Sequence, residues 1–148
     1  MVAFPFIIEE TMTFDRIGIE VTSAIASGVC SLLIYDSVNN VPTNLVLDAG
    51  TISVASATYQ EITINKQLTA GLYFLVLWHN GLGTPSFRAM PTAACNKVLG
   101  LPTTLGTGNT YTRIFNSKVY TTAPLTYDLT GFTVFGGNNP IISLRRSA

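Results

Sequence analysis

A chain of 148 residues has the length of one domain, enough to bury about 70% of the surface its unfolded form exposes without staples. Hydrophobic residues make up 47% and charged residues 11%, less than half the roughly 25% charge of ordinary soluble domains, which excludes a disordered chain. Eight Lys and Arg balance eight Asp and Glu, leaving no net field to draw a polyanion, so neither nucleic acid nor an acidic membrane surface is an expected partner.

In chain order, short apolar or alternating runs are broken by Gly, Pro, Asn and Thr, and no stretch of a dozen residues carries a helical period. Strands are expected near Phe4–Ile8, Thr13–Val21, Val29–Tyr35, Leu45–Ile52, Tyr59–Ile64, Gly71–Trp78, Thr110–Phe115, Thr130–Phe135 and Ile141–Arg145. Asp36 to Pro42 reads as a polar loop whose Asx residues tolerate left-handed backbone, and His79 to Pro85 and Gly136 to Pro140 are comparable breaks. Alternation sends Ile17, Ile19 and Val21 inward and Arg16, Gly18 and Glu20 outward; Cys30, Leu32 and Ile34, then Ile62 and Ile64, repeat the inward set, and Phe74 joins the expected core. About eight or nine strands with loops at their ends fit an all-β fold, an antiparallel two-sheet β-sandwich of jelly-roll type, in one domain over 1–148. An N-terminal arm, 1–10, and one long irregular loop, 85–109, stand outside the periodic pattern.

No basic n-region or cleavage site marks the N-terminus as a signal peptide, and no apolar run reaches the roughly 18–20 residues of a membrane helix. Cys30 and Cys95 are far apart, without a CxxC motif and with one histidine in the chain, so no zinc constellation is expected and both read as free buried thiols. His79 has no identifiable nucleophile beside it, the carboxylates are scattered, and Gly106-Thr107-Gly108 lacks the lysine of a phosphate loop. No catalytic, metal or cofactor site is therefore expected. Asp36, Asn39, Asn40 and Asp48 carry oxygens suited to calcium and equally suit an Asx-rich hairpin. Tyr35, Tyr59, Tyr73, Trp78 and Tyr111 are the aromatic candidates for a sugar platform or for the core, and Tyr35, Tyr73 and Trp78 form the candidate glycan platform.

Contact is the leading theme. Leu33 and Tyr35 face away from Cys30, Leu32 and Ile34, which implies a strand covered on both sides and raises another subunit as the cover. Phe4, Phe6, Ile7, Phe87, Met90, Leu99, Leu101 and Leu105 lie in the arm and the long loop, apolar yet without the period that would bury them in one sandwich. They are candidate interface residues toward a neighbouring subunit or an underlying shell, or plugs over the ends of their own sandwich.

The segments Phe14-Asp15-Arg16-Ile17-Gly18-Ile19-Glu20-Val21, Leu33-Ile34-Tyr35-Asp36, Leu45-Val46-Leu47-Asp48-Ala49-Gly50-Thr51, Glu61-Ile62-Thr63-Ile64 and Leu68-Thr69-Ala70-Gly71-Leu72-Tyr73-Phe74 form an ordered set. Together with the closing Pro140 to Arg145, the set resembles the jelly-roll module of tailed-bacteriophage virion proteins, found in capsid decoration or cement proteins and in tail fibres. The resemblance implies a non-enzymatic structural protein of the virion, assembled in the host cytoplasm. None of its motifs is catalytic; Asp48 to Gly50 supplies a turn or bulge, and Leu68 to Gly71 a turn. The sequence carries no collagen-like, coiled-coil or β-helical shaft, which favours a decoration protein on the head, a trimer as resembling proteins are, with itself and the major capsid protein as partners. The alternative is a tail-associated receptor-recognition module that binds a host surface glycan.

Overall fold

The computed structural model describes residues 1–91, 113–135 and 138–148. The strands are β1 (Val2–Ile8), β2 (Met12–Ser23), β3 (Val29–Val38), β4 (Val41–Ser53), β5 (Tyr59–Leu68), β6 (Gly71–His79), β7 (Ser86–Phe87), β8 (Ala89–Met90), β9 (Arg113–Phe115), β10 (Thr133–Phe135), β11 (Asn139–Pro140) and β12 (Ile142–Arg146). The described residues contain no helix. A six-stranded sheet has the order β10-β9-β1-β6-β3-β4, a second sheet runs β12-β2-β5 with β7 beside β2, and β11 pairs with β8. Among the described residues every strand pairing is antiparallel. The chain is thus an all-β sandwich, as its run lengths imply. The two-residue strands β7, β8 and β11 were not expected, because two residues cannot display a period.

Alternation builds the core between the sheets. Ile17, Ile19 and Val21 of β2, Cys30, Leu32 and Ile34 of β3, and Leu75 and Leu77 of β6 form one buried cluster with Phe4 and Ile8 of β1. Ile62 and Ile64 of β5 are half-buried against it, because β5 is an edge of the smaller sheet. Phe74 is buried as expected, but on the opposite face of β6, where Val76 and Trp78 also point.

The hairpin between β3 and β4 is tighter than a polar loop over Asp36 to Pro42. Val38 pairs with Val41, leaving Asn39 and Asn40 as a two-residue turn with φ of 54° and 63°. Two successive positive φ values are the signature of the turn whose twist matches that of a β-hairpin, and asparagine tolerates them better than other side-chain-bearing residues. Asn40→Gly is expected to raise the denaturant midpoint, and Asn40→Ala to lower stability by about 1 kcal/mol in the same measurement. Further along β4, Ser31 pairs with Thr51 but Leu33 pairs with Asp48, so Ala49 and Gly50 face a single residue. Gly50 takes φ of 95° there, and its N–H donates to Asp48 Oδ1 at 2.9 Å. The Asp48-Ala49-Gly50 segment is therefore a bulge.

The N-terminal arm is not peripheral. β1 lies inside the large sheet between β9 and β6, and all seven of its residues pair with β6 from Val2↔Leu77 to Ile8↔Gly71. Of the long loop expected over 85–109, the start is fastened to its own chain: Phe87 pairs with Val21, and Met90 with Asn139. The remainder lies outside the described residues.

Candidate functional site

The outer face of the large sheet would be an exposed apolar surface if nothing lay on it. Ala3, Leu33, Tyr35, Phe74, Val76 and Trp78 all point there and all are buried. The cover is the segment 116–132, which leaves β9, crosses the sheet toward β4 and returns to β10. Its anchors follow one another across the strands. Asn116 N–H donates to the Met1 carbonyl at 3.0 Å, and Trp78 Nε1 donates to the Lys118 carbonyl at 3.4 Å. Tyr120 and Ser31 share a hydroxyl hydrogen bond of 2.8 Å, while Tyr35 Oη donates to the Pro124 carbonyl at 2.7 Å. On the edge strand, Leu45 N–H donates to the Leu125 carbonyl at 2.8 Å and Tyr127 N–H to the Thr43 carbonyl at 2.7 Å. These bonds occupy part of the β4 edge, which would otherwise offer open ladder groups. The two ends of the segment are tied by the Lys118–Asp128 ion pair, and the ammonium with the Thr130 N–H holds the Asp128 carboxyl down at about 2.

Aromatic rings fill the space under the cover. Tyr127 meets Tyr35 edge-on at 5.3 Å between centroids, and Tyr120 meets Trp78 at 5.0 Å. Burial pushes both the Tyr35 and Tyr127 phenols well above the usual tyrosine range. Only Tyr35 has its hydroxyl satisfied; the buried Tyr127 hydroxyl has no hydrogen-bond partner among the described residues. Tyr127→Phe is therefore expected to stabilise the protein by about 1 kcal/mol, because it removes a desolvated, unpaired group and keeps the ring. Thermal unfolding of the variant beside wild type measures it, and a lower midpoint would count against the burial of that hydroxyl without a partner.

This arrangement corrects two expectations. Leu33 and Tyr35 do need a cover, and the chain supplies it itself rather than borrowing another subunit. The aromatic set Tyr35, Tyr73 and Trp78 does not make an exposed platform: Tyr35 and Trp78 are sealed beneath the cover, and Tyr73 is half-buried with its hydroxyl bonded to Thr69. The signal in the sequence is a pair of tyrosines, Tyr120 and Tyr127, in a stretch of mixed polar and apolar residues with no period.

The other candidate contact residues are scattered. Phe4 is buried between the sheets, and Phe6 packs against the same core and the Tyr73 ring, so both serve their own sandwich. Ile7 is 68% exposed. Phe87 and Met90 are half-buried, Phe87 against the core. Leu99, Leu101 and Leu105 lie outside the described residues, as do Tyr111 and Cys95. Phe6 and Ile7 also wall an open cleft of about 410 Å³ at one end of the sandwich, with Glu9, Glu10, Met12 and Phe14 around it. Among the large hydrophobic side chains of the described residues, the greatest exposures belong to the cover itself, Val119 at 84% and Leu125 at 80%.

His79 closes β6, and its Nδ1 accepts the Gly81 N–H at 3.0 Å, which gives the ring a place in the following turn. Burial holds its imidazole below the usual histidine range. Cys30 is a free thiol in the core, pushed up to about 12 by burial. Asp36 receives the Asn44 backbone N–H at 2.7 Å and its side-chain amide at 2.9 Å, and Asp48 caps the Gly50 bulge, so these carboxylates bind their own hairpin. No group of three or more His, Cys, Asp or Glu side chains suited to a metal ion occurs among the described residues.

The outer face of the smaller sheet has a different chemistry. Pairing places Glu61 beside Gly18 and Gly18 beside Ser143, with Thr63, Arg16 and Arg145 in the next row. Tyr59 reaches from β5 across β2: its phenol end fills the space that a side chain on Gly18 would take, and its hydroxyl bonds Ser143 Oγ at 2.9 Å. Around it stand three ion pairs, Arg16–Glu61 at 3.2 Å, Arg88–Glu20 at 2.7 Å and Arg145–Asp15 at 2.8 Å. The last two are bidentate. Compared with protein-family models, with curated proteins and with solved structures, the chain matches none.

Proposed function

We propose that the chain is a non-enzymatic structural protein of a tailed-bacteriophage virion, a capsid decoration or cement protein that assembles with copies of itself, as a trimer, on the head surface against the major capsid protein. The resemblance carried by the Phe14 to Val21, Leu33 to Asp36, Leu45 to Thr51 and Leu68 to Phe74 segments supplies the setting. The observation that carries the contact role is the pair Val119 and Leu125, large aliphatic side chains open at 84% and 80% on a segment fastened along its length. Apolar area already held in place gains the full benefit of leaving water, about 25 cal/mol per Å², with little ordering entropy to offset it. The tail-associated alternative loses Tyr35 and Trp78 from the platform expected of it, since both are buried.

Sedimentation equilibrium of the purified protein and its cosedimentation with virion heads test the proposal. A trimer that binds heads is expected, and the double variant Val119→Asp, Leu125→Asp should stay folded while losing either assembly or attachment, because a carboxylate facing an apolar partner is desolvated without compensation. A monomer that does not bind heads, or a position on the tail in a virion map, would overturn it.

A further inference from the structure

We infer that the outer face of the smaller sheet is a saccharide-binding platform centred on Tyr59, taking the apolar C–H face of a neutral pyranose. This goes beyond the proposed structural role, which requires no ligand. Tyr59 is 51% exposed although its phenol end is seated over Gly18 and its hydroxyl is tethered to Ser143. A half-exposed ring seated at its phenol end and unable to swing away without breaking its tether is a preorganised stacking surface. Gly18 is what allows it: a methyl group there would also approach the Gln60 carbonyl to 2.7 Å.

The surroundings choose the ligand class. Arg16, Arg88 and Arg145 are matched one for one by Glu61, Glu20 and Asp15, so the face has no excess charge to attract an ionic partner. Each guanidinium carries five N–H donors and uses at most two on its carboxylate in these pairs, and each carboxylate keeps acceptor capacity. Fixed donors and acceptors bordering an exposed ring suit a ligand that is both hydroxyl-rich and locally apolar, which describes a pyranose with equatorial hydroxyls. The same balance disfavours a charged polymer, and the polar border disfavours a purely apolar one.

The test is an amide-detected NMR titration of the full chain with cellopentaose, chitopentaose and maltopentaose, and with sialyllactose as a charged comparison. Saturable shifts are expected with at least one neutral sugar, centred on Gly18, Tyr59, Glu61 and Ser143, with a dissociation constant of about 1 mM or tighter. Tyr59→Ala should weaken binding about tenfold, the loss of one aromatic stacking contact, whereas Tyr59→Phe, which keeps the ring and loses only the tether to Ser143, should weaken it by less than the alanine change. The Phe variant and the wild-type shift map decide the matter even if Tyr59→Ala fails to fold. No saturable shift with any neutral sugar at about tenfold the expected constant, shifts centred elsewhere, binding that survives Tyr59→Ala, or a preference for sialyllactose would each overturn the inference.

Discussion

Ile34→Ala is expected to lower the unfolding free energy by about 2–5 kcal/mol, the range for truncating a buried aliphatic side chain to leave a cavity. Ile34 is fully buried between the sheets, in a strand hydrogen-bonded on both sides, with Leu75 and Leu47 as its cross-strand partners. A central strand with neighbours on both edges has little freedom to collapse into the space, which argues for the upper part of the range. Chemical denaturation of the variant and wild type measures the difference. An unchanged midpoint at unchanged slope would mean that this face of β3 does not point into the core.

Tyr35→Ala is expected to cost about 3–5 kcal/mol and to act on a different part of the molecule. The ring is fully buried beneath the cover, stacks edge-on with Tyr127 and donates its hydroxyl to Pro124. Removing it takes away the central support of the 116–132 segment. Amide exchange at Leu45 and Tyr127, whose N–H groups tie that segment to the β4 edge, should accelerate more than exchange at Leu32 or Leu77 in the inter-sheet core. Tyr35→Phe keeps the ring and loses only the hydrogen bond, so it should cost about 1 kcal/mol. Equal acceleration at all four amides would show that the cover and the sandwich open together.

Much of the fold was legible because β-structure writes a period of two into the sequence wherever one face is wet. β5 alternates exposed and half-buried residues along nearly its whole length, and the inward set Ile17, Ile19 and Val21 follows from spacing alone. The positive-φ turn was also foreshadowed, since Asn39 and Asn40 are among the few non-glycine residues at ease there. β3 was legible in a second sense: its burial on both faces betrays itself as apolar residues without alternation, and Leu33 and Tyr35 correctly called for a cover. What covers them was not legible, because Tyr120 reaches Ser31 and Pro124 reaches Tyr35 across 89 residues of sequence, and a contact of that kind leaves no local pattern.

By itself, then, the sequence determined the all-β class, the antiparallel sandwich, nine of the strands and the inward set Ile17, Ile19, Val21, Cys30, Leu32 and Ile34, since those depend on period, turn residues and composition acting over a few residues at a time. Only the tertiary structure decided that the N-terminal strand sits inside the large sheet, that the outer face of that sheet is sealed by the chain's own 116–132 segment, and that Tyr59 crosses β2 over Gly18. Strand order, the closing of one face and the path of one ring are choices among partners distant along the chain. They are settled by which apolar surfaces are left uncovered once the sheets have formed, and no local run of residues records that remainder.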